Sequence, residues 1–187
     1  MDIYPSPKQL TLLVLRAQAG DRDATDSLLR AHQDELFGYL IKMLGDRSDA
    51  EDVLQTTLLQ VVKKIKWLRE PLRFRSWMFC IASRQVYRIT KLKRQKHEFP
   101  SSDIVEEVWE TEPSDSGHQE LILQIPKWLE RLTPKGREVI SLHYLEGFTS
   151  EEVADILGIP LGTVKSRISY SLAIIRKQIN HTKGSKK

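Results

Sequence analysis

Residues 144–168, which read YLEGFTSEEVADILGIPLGTVKSRI, constrain the fold more than any other stretch of the chain. Thr149 and Glu152 have the spacing of a capping box, which predicts that a helix begins there. Gly158 predicts where that helix ends, because glycine tolerates the left-handed backbone conformation common at helix C-termini. A second helix is predicted to begin close to Thr163. Two helices joined so tightly favour a helix-turn-helix, whose second helix enters the major groove of duplex DNA.

The second helix of this motif carries the residues predicted to contact DNA. Lysine and arginine donate hydrogen bonds to guanine or to phosphate, and a helix N-terminus favours a phosphate. The positions predicted to be exposed on this helix are Thr163, Lys165, Ser166, Arg167, Ser169 and Tyr170. The alternative is an ordinary helical hairpin at the end of a domain.

The charges of the chain are segregated along the sequence, although the net charge of its 187 residues is only +4. Residues 84–96 contain six lysines or arginines and no acid, and residues 160–187 contain seven and no acid. Residues 99–120, in contrast, contain seven acids and no lysine or arginine. This distribution predicts two nucleic-acid-facing surfaces separated by an acidic connector.

Several classes of protein and site are disfavoured by composition and motifs. No stretch approaches the roughly 20 apolar residues that span a bilayer, and the N-terminus does not resemble a secretory signal. The single cysteine, Cys80, is expected to be a buried structural thiol. The five histidines show no metal-binding spacing, and neither a phosphate-binding glycine loop nor a GxSxG motif occurs. We therefore expect a cytoplasmic protein with no cofactor, no metal and no catalytic residues.

Apolar residues recur at helical spacing through most of the chain, which predicts an all-α fold. Ser48 and Glu51 are predicted to form a second capping box, and Thr133 with Pro134 predicts another helix start. Two small helical domains are expected, at residues 8–95 and 118–182, joined by a flexible acidic linker at 96–117. The helices are predicted at 8–19, 23–44, 48–67, 76–93, 120–132, 133–146, 150–157 and from 163 onward.

Three motifs together resemble those of a bacterial protein family. Residues 49–55, DAEDVLQ, are similar to a segment called region 2.2, and residues 74–82 with the basic helix after them are similar to regions 2.3 and 2.4. Residues 132–168 are similar to region 4. On these motifs the chain resembles a sigma factor of the extracytoplasmic-function (ECF) group within the sigma-70 family. The resemblance covers about residues 10–95 and 120–180.

The resemblance implies a function by binding. Factors of this kind have two helical domains, σ2 and σ4, and direct core RNA polymerase to promoter DNA. It implies that σ4 recognises the duplex −35 element, that σ2 traps the melted −10 element, and that the linker threads near the RNA exit path. The implied contacts on polymerase are the β′ clamp helices and the β flap. An anti-sigma factor is a further implied partner, and insertion into a membrane is not.

Two clusters in the first domain are candidate sites under this resemblance. Docking on core polymerase is assigned to Asp49, Asp52, Gln55 and Leu59, although acids at a helix start also simply favour the helix dipole. The cluster assigned to −10 DNA mixes cations with aromatic rings, as single-stranded DNA requires, because cations hold phosphates and rings stack on bases. It comprises Trp67, Arg69, Arg73, Phe74, Arg75, Arg84, Arg88 and Lys91.

Two other interpretations remain open from the sequence alone. A stand-alone helix-turn-helix regulator would bind duplex DNA as a dimer without polymerase, but it leaves residues 49–55 and 67–77 unexplained. A nucleic-acid-processing enzyme is the third possibility, and the missing site chemistry disfavours it.

Overall fold

A computed structural model describes residues 5–96 and 128–184, and within these ranges the chain forms seven α-helices and no strand. The chain divides into two compact units, an N-terminal unit of Met1–Phe99 and a C-terminal unit of Pro100–Lys187. The prediction of an all-α fold with two helical units is confirmed. The predicted linker at 96–117 and the helix predicted before Trp128 fall outside the described residues. No helix in the described ranges is long and apolar enough to cross a membrane.

The N-terminal unit contains four helices, and polar side chains cap the first three. They are α1 (Pro7–Gln18), α2 (Arg22–Leu44), α3 (Arg47–Lys64) and α4 (Phe74–Lys96), with 3-10 turns at Ile65–Trp67 and Pro71–Arg73. Ser6 forms a capping box with Gln9, and Asp21 caps α2. The prediction that Ser48 opens the third helix is wrong. Asp46 caps it instead, because its carboxylate accepts the Asp49 N–H at 2.9 Å.

The core of the N-terminal unit lies where α2, α3 and α4 meet. Tyr39 is fully buried there, with its ring 5.2 Å from that of Phe79 and its hydroxyl 2.8 Å from that of Ser83. Cys80 is half-buried rather than buried, because it lies one turn before the exposed Arg84 on the same side of α4. The buried apolar residues that fill this core include Leu28, Leu36, Leu40, Val53, Val61, Met78 and Ala82.

In the described part of the C-terminal unit, residues 128–184, three helices follow a 3-10 turn at Leu129–Arg131. They are α5 (Pro134–Ile140), which continues as a π-helical turn at Ser141–Leu145, α6 (Ser150–Leu157) and α7 (Leu161–Gly184). Thr133 caps α5, as its sequence predicts, by accepting the Gly136 N–H at 3.1 Å. The core of this unit is formed by Leu129, Leu132, Ile140, Leu172 and Ile175.

One close approach fixes how α5 lies against α7. A Cβ atom added at Gly136 would come within 2.5 Å of the Ser171 Oγ, and Ser171 is itself 1% exposed. The backbone of α5 therefore approaches α7 closely, and a larger residue at position 136 would require the Ser171 side chain to shift. Since α7 also carries the predicted DNA-contacting residues, this contact positions them relative to the rest of the unit.

Candidate nucleic-acid interface

The helix-turn-helix forms as its sequence predicts. The Glu152 N–H donates to the Thr149 Oγ1 at 3.1 Å, and the Thr149 N–H donates to the Glu152 carboxylate at 2.9 Å, which completes the capping box. Gly158 ends α6 with a φ of 65°, in the left-handed region. Val153 and Val164 are fully buried where α6 meets α7. The first turns of α7 are thereby presented at the surface of the unit.

The predicted contacts on α7 differ in their exposure. Lys165, Ser166 and Tyr170 are exposed, whereas Thr163, Arg167 and Ser169 are half-buried. At 100° per residue, Lys165 and Arg167 lie on opposite flanks of the outward stripe that contains Ser166. Arg167 is also already engaged in an interaction within the protein. Lys165 is therefore the more accessible of the two cations.

The loop before α4 carries the most exposed aromatic residue between positions 5 and 96. Trp67 is 73% exposed, and Arg69 nearby is also exposed. Arg73 donates to Glu70 at 2.8 Å on the same surface. This loop is held against α1 because the Gln18 side-chain amide donates to the Ile65 carbonyl at 2.9 Å and to the Leu68 carbonyl at 2.7 Å. These hydrogen bonds hold the loop in place, and the Trp67 ring faces solvent.

Two residues predicted to contact −10 DNA serve the protein interior instead. Phe74 is fully buried, with its ring in an edge contact 5.3 Å from that of His32, so its assignment as a stacking residue is wrong. Arg75 forms an ion pair with Glu35 and lies over the Phe79 ring at 5.5 Å. The Arg75 side chain, 28% exposed, therefore ties the start of α4 to α2. Burial also lowers the pKa of His32.

The middle of α4 presents a cationic face. Arg84, Arg88 and Lys91 are exposed and share one side of the helix, as their spacing of four and three residues predicts. The sequence of α4 contains no acid. Tyr87 stands on the same face with 68% exposure, and the sequence reasoning missed it. The available signal was its position three residues after Arg84 and four before Lys91.

The predicted docking residues lie along one side of α3. Asp52, Gln55 and Leu59 are exposed, with Leu59 at 54%. Asp49 is half-buried and forms an ion pair with Lys93 of α4, and this hydrogen bond raises the pKa of Lys93. Three of the four residues thus form an open surface with an acid, an amide and an apolar side chain, while the fourth joins α3 to α4.

Two family models match the two units. The model described as Sigma-70 region 2 matches residues 28–98, and the model described as Sigma-70, region 4 matches residues 128–177. The first match contains the docking residues on α3, the loop and α4, and the second contains the helix-turn-helix. Within the described residues, no group of three or more His, Cys, Asp or Glu is placed to hold a metal ion.

Relatives and a solved structure extend these matches along the chain. The ECF RNA polymerase sigma factor SigL of Mycobacterium tuberculosis is 30% identical over 163 residues, which are 84% of this chain and 92% of the relative. The ECF RNA polymerase sigma factor SigW of Bacillus subtilis is 28% identical over 181 residues, 89% of this chain and 94% of the relative. The sigma factor RpoE of Bartonella quintana, solved in complex with the anti-sigma factor NepR, has a similar fold. Its TM-score is 0.64 at 23% identity, over 83% of this chain and 96% of that chain.

Proposed function

Because the chain belongs to the ECF group of the sigma-70 family, it is an RNA polymerase sigma factor that directs core polymerase to promoters, and we propose which residues perform each step. The observation that carries the proposal is the presence, in one chain, of three features: an exposed side of α3 with an acid, an amide and an apolar residue, a cationic face on α4, and the exposed Lys165 on the second helix of the helix-turn-helix. Binding to polymerase brings both DNA contacts to one promoter and raises their effective concentration.

The C-terminal unit is proposed to hold the duplex −35 element in the major groove. Lys165 makes the principal contact, to guanine or to phosphate, with Ser166 and Tyr170 beside it. Thr163, Arg167 and Ser169 contribute from the flanks of α7, where they are half-buried. Since each such contact is small, affinity for a promoter in the absence of polymerase is expected to be low.

The N-terminal unit is proposed to trap single-stranded DNA of the −10 element. Trp67 supplies a ring for an extruded base, and Arg69 with Arg73 holds adjacent phosphates. Arg84, Arg88 and Lys91 follow the backbone along α4. Stacking contributes roughly 1–3 kcal/mol per base, which offsets the few kcal/mol that unstacking a base costs.

The exposed side of α3, with Asp52, Gln55 and Leu59, is proposed to bind the β′ clamp helices of core polymerase. The C-terminal unit is proposed to bind the β flap of the polymerase. Asp49 acts within this surface by pairing with Lys93. The proposed domains are residues 8–95 and 118–182, with 96–117 as the acidic linker between them. The proposed regulator is an anti-sigma protein, and the proposed site of action is the cytoplasm. The chain is proposed to act by binding rather than by catalysis.

Transcription with purified core polymerase on a library of genomic fragments tests the function. Adding the chain is expected to start new transcripts, and the chain is expected to co-purify with core polymerase. If neither occurs, the sigma-factor assignment of the surfaces fails. Tight binding to a two-fold symmetric duplex without polymerase would instead favour the stand-alone regulator.

A further inference from the structure

Gln18 is a half-buried residue at the end of α1 that the proposed contacts do not include. Its side-chain amide donates to two carbonyls of the loop before α4, that of Ile65 at 2.9 Å and that of Leu68 at 2.7 Å. The two bonds join positions that are 47 and 50 residues apart in the chain. One amide of α1 therefore connects this loop to a helix that is distant in the sequence.

The two accepting carbonyls depend on this amide to different degrees. The Ile65 carbonyl also accepts the Leu68 N–H, at 3.1 Å, which closes the 3-10 turn. The Leu68 carbonyl accepts no backbone N–H from any residue of the described ranges. A shielded carbonyl that loses its donor must turn toward water or stay unsatisfied, and both cost free energy. Without the amide of Gln18 we therefore expect the loop to move at Leu68.

Trp67 lies between the two carbonyls that the amide holds. Ile65 and Leu68 are buried, whereas Lys66 and Trp67 face solvent. A movement of the backbone at Leu68 also displaces the residue before it, because consecutive Cα atoms stay about 3.8 Å apart. The position of the Trp67 ring relative to the nearby Arg69 therefore depends on a residue of α1.

We infer that Gln18 is a positioning residue for the capture of −10 DNA, because its amide sets the place of Trp67 without contacting DNA itself. The inference rests on the proposed function, in which Trp67 supplies a ring for an extruded base. It adds α1 to the helices on which strand binding depends. A residue that only stabilised the fold would affect strand binding independently of Trp67, and this difference can be measured.

Three single variants of the full chain, each bound to core polymerase, separate positioning from stability. Gln18→Met keeps the length of the side chain and removes both donors. Ser6→Ala is the matched control, because it removes the cap of the same helix and leaves the contacts with the loop in place. Trp67→Ala removes the ring itself. The probe is a dye-labelled non-template strand from the −10 region of a promoter that the parent holoenzyme transcribes.

Gln18→Met is expected to weaken strand binding by about 2- to 30-fold, the range to which roughly 0.5–2 kcal/mol of indirect coupling converts. Trp67→Ala should weaken it by about 5- to 150-fold, because roughly 1–3 kcal/mol of stacking is lost. The double variant should bind as weakly as Trp67→Ala alone, since the amide acts only through the ring. Ser6→Ala should match the parent in strand affinity, although urea unfolding should show that it is less stable.

Amide hydrogen exchange in the loop supplies a structural measurement beside the affinities. The Leu68 N–H should exchange faster in Gln18→Met, because the turn that it closes is no longer held against α1. The same N–H should exchange at the parent rate in Ser6→Ala. Binding to core polymerase should be equal in all variants, since none of them alters the exposed side of α3.

Three results would overturn the inference. Unchanged strand affinity in Gln18→Met removes the positioning role. A further loss in the double variant, beyond that of Trp67→Ala, shows that Gln18 acts elsewhere. An equal loss in Ser6→Ala assigns the effect to the stability of α1.

Failure of the proposed function gives a different pattern. If Trp67→Ala binds the strand as the parent does, the proposed role of Trp67 fails and the inference fails with it. If Trp67→Ala is weak and Gln18→Met is not, only the inference fails. If the parent starts no transcription, the affinity of the full chain alone for oligo-dT, compared among the same variants, decides whether Gln18 acts through Trp67.

Discussion

The two helices proposed to contact DNA, α7 and α4, acquire their exposed residues in different ways. Local signals define the start of α7: a capping box before α6 and a left-handed Gly158 after it set the turn. Tertiary contacts define the start of α4, where Phe74 is buried and Arg75 is bound to Glu35. The comparison shows that the position of α7 can be derived from neighbouring residues, whereas the accessible residues of α4 depend on helices far away in the sequence.

The strongest test of this difference is the ion pair that ties α4 to α2. Glu35→Ala should lower the free energy of unfolding by about 2 kcal/mol, because it leaves the Arg75 guanidinium largely shielded from water without its partner. Urea unfolding, with amide hydrogen exchange in α4, measures the loss. Glu70→Ala is the matched control: it removes the exposed pair with Arg73 and should cost less than about 0.5 kcal/mol. Equal effects would show that the two pairs are equivalent.

The next test separates the two cations of α7. Lys165→Ala should weaken −35 binding by the holoenzyme about tenfold, or 1.4 kcal/mol, with binding to core polymerase retained. Arg167→Ala should reduce DNA affinity less, because the side chain is half-buried and already engaged. Competition on promoter fragments with altered −35 sequences measures both variants. If core binding is lost instead, α7 is not the DNA-recognition helix.

A tertiary contact also underlies α7, and Gly136→Ala probes it. The new methyl group would meet the Ser171 Oγ at 2.5 Å, so the C-terminal unit should lose about 1 kcal/mol of stability, the lower end of the cost of overpacking. Ser171→Ala in the same chain should restore most of this loss, since the Ser171 Cβ lies at an ordinary 3.7 Å and only the Thr133 Oγ1, at 3.2 Å, remains close. Thermal unfolding of the single and double variants measures the coupling. A double variant as unstable as Gly136→Ala would mean that the clash lies elsewhere.

The smallest expected effect is a pH dependence at the base of α4. Burial lowers the pKa of His32, so the unfolded chain binds the proton first as the pH falls through the ordinary value of about 6.5. Stability should therefore decline between about pH 7.5 and pH 5.5, the window around that value. His32→Gln should reduce this slope in thermal unfolding. An unchanged slope would assign the pH dependence to other groups.

The sequence was sufficient at several positions where a residue acts on its own helix. The capping box of Thr149, the cap at Thr133 and the shared face of Arg84, Arg88 and Lys91 all follow from spacing of three or four residues. It misled at Ser48, because Asp46 lies two residues earlier and competes as a cap. The π-helical turn at Ser141–Leu145 carries no comparable signal, since it widens a helix whose apolar pattern continues.

The candidate site was less predictable than the fold, because exposure is decided by packing. Phe74 and Trp67 are both aromatic residues beside arginines, yet one is fully buried and the other 73% exposed. His32 and Glu35 of α2, about forty residues earlier, make the difference. His32 packs against the Phe74 ring, and Glu35 accepts a hydrogen bond from Arg75. Tyr87 was missed although its spacing from Arg84 and Lys91 places it on their face, and only the structure shows how far its ring is exposed.

The two hydrogen bonds from Gln18 have a consequence for the cost of capturing a base. They join one amide of α1 to the carbonyls of Ile65 and Leu68, and so bracket Trp67 on both sides. Fixing a backbone residue costs about 1–2 kcal/mol of conformational entropy. Since these residues are already ordered in the free protein, that loss falls on folding and not on DNA binding. The proposed stacking of Trp67 on an extruded base would then restrict only the motion of its own side chain.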